Sequence, residues 1–115
     1  MKPIDQEYGH LIKDMIKNAG KGDEITPDNV YQEARPVNRP IIDRIVTDLM
    51  LPESDIINAD NLKRLYDLSQ KGYSCVLFME HYSNFDLPCL YWLVENRVEN
   101  GKKITDSIVS MAGLK

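Results

Sequence analysis

The chain has 115 residues, 43% of them hydrophobic and 28% charged, one domain's worth of sequence and far from the apolar-poor, charge-rich signature of disorder. Fourteen Lys and Arg against 18 Asp and Glu give a net charge of -4 and a pI near 5.1, the wrong sign for a protein that holds nucleic acid through a basic face. Cys75 and Cys89 form no C-x-x-C pair and have no second ligand cluster, so a zinc site has no sequence support and the two read as free thiols in a reducing compartment.

Ile4, Tyr8, Leu11, Ile12, Met15 and Ile16 recur at spacings of three and four. They predict an amphipathic helix that ends near Gly20. Residues 21 to 39, KGDEITPDNVYQEARPVNR, are polar and punctuated by Pro27 and Pro36, so a connecting loop with at most one short turn is expected. Pro40 then stands where a helix begins, and Ile41, Ile42, Ile45, Val46, Leu49 and Met50 keep the helical rhythm until Pro52 stops it. After a capping region at Asn58 to Asp60, Leu62, Leu65 and Tyr66 mark a further helix, with Gly72 as its left-handed terminal residue.

Tyr73 to Met79 is a nearly continuous apolar run without alternation, which predicts a strand covered on both faces. Leu87 to Val98 predicts a helix closed by Asn100 and Gly101, with Tyr91 to Val94 packing in a core. Lys102 and Lys103 read as a solvated turn, and Ser107 to Met111 as a second strand. Strand, helix and strand make a β-α-β unit. The expected fold class is therefore α/β, with a helical N-terminal segment, 1–72, followed by the start of an α/β domain, 73–115. Two parallel strands and one helix leave buried-type faces uncovered, so further strands are expected from later sequence or from another chain. The N-terminus carries charges throughout, and no window approaches an uncharged spanning helix. A cytoplasmic location is expected, with a peripheral position at the inner face of a membrane as the variant of it.

Chemistry concentrates in EHYSNFDLP, residues 80 to 88, between the predicted strand and helix, where parallel sheets bind ligands. His81 and Asp86 are five apart across a turn. That spacing lets the carboxylate fold back to one imidazole nitrogen, fix its tautomer and stabilise the imidazolium, which makes His81 a general base for a substrate hydroxyl. Asp86, followed by Leu87 and Pro88, equally fits a helix N-cap, and the two roles are compatible. Ser83 fits a turn role through its hydroxyl. Glu80, His81 and Asp86 lack a recognised ligand spacing, so no metal is expected. His10 reads as a solvated helix residue.

The motif His81, Tyr82, Ser83, Asn84, Phe85, Asp86 resembles the H-x-S-x-x-D form of the H-x-x-x-x-D motif of glycerolipid acyltransferases. With Ser83 required, chance produces it in about one sequence in a hundred. The resemblance covers about the last 45 residues, through the run before the motif and SIVSMAGLK after it. It implies transfer of a fatty acyl group from acyl-CoA or acyl carrier protein to a hydroxyl of glycerol-3-phosphate or lysophosphatidate in phospholipid synthesis. His81 would be the general base, oriented by Asp86, with Ser83 beside the substrate and no cofactor. Glu80 stands where the family frequently has asparagine. The family's arginine-bearing strand and its glycine- and arginine-bearing segment have no counterpart up to Lys115, so the chain reads as the N-terminal part of such an enzyme, inactive alone. The competing expectation is a non-catalytic interaction module.

Overall fold

The computed structural model describes residues 2–19, 22, 24–33 and 35–111, which form two compact units, Met1–Leu49 and Met50–Lys115. Six helices make up the regular structure of the described residues: α1 (Ile4–Glu7), α2 (Gly9–Ala19), α3 (Arg39–Leu49), α4 (Ala59–Gln70), α5 (Asp86–Arg97) and α6 (Gly101–Asp106), with a 3₁₀ turn at Pro36–Asn38 before α3.

In the first unit the predicted N-terminal helix divides at Tyr8, whose amide closes α1 on the Ile4 carbonyl. The Tyr8 ring is buried and its hydroxyl donates to Asp48 of α3 at 3.3 Å. The predicted end of that helix, Gly20, lies outside the described residues. Asn38 joins two elements, because its side-chain amide donates to the Met15 carbonyl while its side-chain oxygen accepts from Asn18. Ile45 and Val46 are the buried residues of α3, the helix read most clearly from the sequence. Asn29 organises the connecting loop, accepting from the Thr26 amide and donating to the Glu24 carbonyl.

In the second unit α4 ends as predicted. Gly72 adopts φ 90°, its amide donates to Ser69, and the Tyr73 amide reaches back to Leu68. This pair of bonds satisfies the last free carbonyls of a helix when the following residue is left-handed. Helix α5 packs on α6 at very short range: a Cβ on Gly101 would lie 1.9 Å from the Val94 carbonyl oxygen. Val94, Ile104 and Thr105 are buried there, and the Thr105 hydroxyl donates to Glu95 at 2.6 Å. Arg97 lies over the Trp92 ring at 5.2 Å and donates to the Pro52 and Ser54 carbonyls, tying that loop to α5.

The α/β expectation is overturned, since no strand occurs among the described residues and the fold they show is helical. The cause begins at the second predicted strand. Asn100 takes a left-handed conformation and starts α6, which absorbs Lys102 and Lys103 into a helix where a turn was expected. The amides of Ser107 and Ile108 are then spent on the Ile104 and Thr105 carbonyls at the helix end. Residues 112–115, the remainder of the family-like SIVSMAGLK, fall outside the described residues. A strand exists only where another strand accepts and donates to it, so Tyr73–Met79 has no ladder to join. It carries no regular secondary structure and is exposed rather than buried, with Phe78 91% exposed. The β-α-β unit and its sheet are thus absent from the described chain.

No helix among the described residues is long and apolar enough to cross a membrane.

Candidate functional site

The segment 80–86 folds around one carboxylate. Asp86 is the first residue of α5, and its Oδ2 accepts from the backbone amides of Tyr82 at 2.5 Å and Ser83 at 2.7 Å. Its Oδ1 accepts from the Ser83 hydroxyl at 3.2 Å. That hydroxyl oxygen in turn accepts from the Phe85 amide at 3.1 Å, while the Asp86 amide donates back to the Ser83 carbonyl at 3.2 Å. Serine two residues before the donating amide supplies the turn role expected of it. The carboxylate therefore caps the loop in front of the helix, and not the helix itself: α5 has no side-chain cap. The N-cap reading of Asp86 is corrected accordingly. Its amide donors precede it in sequence, whereas an N-cap carboxylate accepts from residues that follow.

This arrangement brings His81 and Asp86 together, with Nδ1 of the imidazole 3.3 Å from Oδ2. The His81 side chain is 68% exposed and that of Asp86 only 21%. An anchored carboxylate thus faces one nitrogen of an accessible ring at ion-pair distance, and Nε2 has no hydrogen-bond partner among the described residues. The Ser83 amide is the main reason the Asp86 carboxyl lies below its ordinary value. Partial burial opposes this, and the Tyr82 amide, the Ser83 hydroxyl and the His81 charge reinforce it. A carboxylate held this way stays ionised and acceptor-only.

Glu80 and Tyr82 flank His81 and bond to one another, the phenol donating to the carboxylate. That bond is the chief cause of the raised pKa of the Tyr82 hydroxyl, and it could not be expected from the motif alone. Cys89, one turn into α5, has its thiol pushed up by burial and by the Asp86 charge, which disfavours the nucleophilic thiolate. Both cysteines are free. No cluster of three or more metal-ligating side chains occurs among the described residues.

A shallow cavity of about 150 Å³ lies elsewhere, lined by Lys63, Tyr66 and Asp67 of α4 and by Glu99, Asn100, Lys103 and Ile104. It contains none of the 80–86 residues. The expectation that His81 sits at the C-terminal end of a sheet falls with the sheet, and the site stands on its loop geometry. Comparison with protein-family models, curated proteins and solved structures found no match.

Proposed function

We propose that His81 is a general base that activates a substrate hydroxyl, and that the reaction is acyl transfer from a fatty acyl thioester to glycerol-3-phosphate or lysophosphatidate. The observation that carries the reading is the 3.3 Å approach of His81 Nδ1 to an Asp86 carboxylate that the loop amides hold in place. In this scheme Nε2 takes the proton of the acceptor hydroxyl as its oxygen attacks the thioester carbonyl, and Asp86 stabilises the imidazolium so formed. Collapse of the tetrahedral intermediate expels the thiolate, which receives the proton from the imidazolium. The choice of acyl donor and acceptor comes from the H-x-S-x-x-D resemblance, and the general-base role from the pairing.

Acyl transfer by the native protein from acyl-CoA or acyl carrier protein, measured beside a His81→Ala variant, tests the proposal. General-base loss should lower turnover by about 10² to 10⁴, with helix content unchanged. Equal turnover by the variant would remove His81 from the chemistry. The exposed apolar run 73–79 favours a second reading, an interaction module in which His81 is incidental. That reading expects no transfer by either protein and no affinity for acyl thioesters.

A further inference from the structure

Asn100–Gly101 is the one Asn-Gly pair in the sequence, the other asparagines being followed by Ala, Val, Arg, Leu or Phe. An asparagine side-chain amide is open to attack by the nitrogen of the next peptide, and glycine, with no Cβ, hinders that approach least. At this pair the group under attack is free: Asn100 is exposed and its side chain caps nothing at the start of α6. The attacking group is not. The Gly101 amide donates to the Val98 carbonyl at 3.0 Å, and Gly101 is buried where α6 meets α5. Backbone geometry closes the route a second time. Asn100 has φ 58° and ψ 23°, which for an L residue puts the Gly101 nitrogen nearly opposite Cβ across the Cα–C bond, whereas ring closure needs the two on one side. Turning that peptide round swings Gly101 and the start of α6 off Val94, whose carbonyl leaves no room even for a Cβ. The helices have to part before the nitrogen can reach the side chain.

We propose that Asn100 is a site of spontaneous deamidation and isoaspartate formation, closed while α6 packs on α5 and open when the two separate. In the open form the Gly101 nitrogen gives up its proton and bonds to Asn100 Cγ, the bond from Cγ to the side-chain nitrogen breaks, and that nitrogen leaves as ammonia. Water then opens the five-membered imide. Attack at Cγ gives aspartate, and attack at the backbone carbonyl of residue 100 gives isoaspartate, with the chain routed through the former side chain. One water is consumed, one ammonia is released, and a neutral amide becomes a carboxylate beside Glu99. The isoaspartyl link also lengthens the backbone by a methylene at the turn that seats Gly101 against Val94, so each conversion is a permanent record of an opening. The inference is independent of the acyl-transfer reading.

Peptide mapping by mass spectrometry of the full chain, incubated in mildly alkaline buffer and assayed for isoaspartate by enzymatic methylation, tests it. In guanidinium chloride Asn100 should convert ahead of every other asparagine. In native buffer the same conversion should run at least about tenfold more slowly, by a ratio set by how rarely α6 leaves α5. Ile104→Ala removes a buried side chain of α6 without altering the reacting pair, and should raise the native rate at least about tenfold with the helical circular dichroism retained. Thr105→Val removes the hydroxyl that bonds Glu95 and should move the native rate in the same direction, which keeps the test decisive if Ile104→Ala does not fold. An Asn100 that stays intact in denaturant overturns the proposal. So does a native rate equal to the denatured one, or one indifferent to both variants, since either would show that the α5–α6 contact does not guard the site.

Discussion

Asp86 does two things with one carboxylate: it closes the loop on the amides of Tyr82 and Ser83 and it stands 3.3 Å from Nδ1 of His81. Its lowered pKa makes this a pH-dependent contribution to folding. Because the folded value is depressed, the contribution is fully present above the unfolded value near 3.8 and is lost as pH falls through the lower folded value. Asp86→Asn keeps one acceptor oxygen but loses the charge. Urea unfolding should therefore show the variant less stable than the parent at neutral pH, and the gap should close as pH is taken below 3.8. A gap that is constant with pH would mean that the charge contributes nothing to the loop. The H-x-S-x-x-D spacing made the His81–Asp86 pair legible, since five residues across a turn suffice to fold one side chain back on the other. The backbone amides that fix Asp86 were hidden, because helix-cap grammar points an aspartate at the residues after it.

At the scale of elements, local rules worked where the decisive contacts are local. Pro40 and the 41–50 stripe mark α3, and Gly72 marks the end of α4, because caps, turns and a 3.6-residue period act within a few residues. Gly101 was misread as a helix terminator. Its use is instead a close approach, a hydrogen in place of a Cβ that would sit 1.9 Å from the Val94 carbonyl, and no pattern in one sequence displays such a neighbour. Gly101→Ala should force α5 and α6 apart and cost roughly 1 to 3 kcal/mol by urea unfolding, with loss of the Thr105–Glu95 hydrogen bond. Stability equal to the parent would show that the helices yield freely at that point. Tyr73–Met79 failed as a strand for a different reason. Composition shows that a run suits a strand, but the ladder needs a partner, and the end of α6 takes up the first two amides of the Ser107–Met111 segment expected to supply one.

For the whole molecule, the acidic balance and the absence of a spanning helix among the described residues agree with the composition. The α/β architecture did not survive, because it rested on the pairing of two segments, a long-range event that periodicity does not encode. What survives from sequence to structure is the loop that joins a carboxylate to an imidazole. The most direct test of that geometry is the tautomer of His81, read from long-range proton–nitrogen NMR correlations of the neutral ring. If Asp86 orients His81 for base catalysis, the proton resides on Nδ1 in the parent, Nε2 is the free acceptor, and Asp86→Ala abolishes this preference. A ring protonated on Nε2 in the parent, unchanged by Asp86→Ala, would contradict it, since that nitrogen then has no lone pair with which to take a substrate proton.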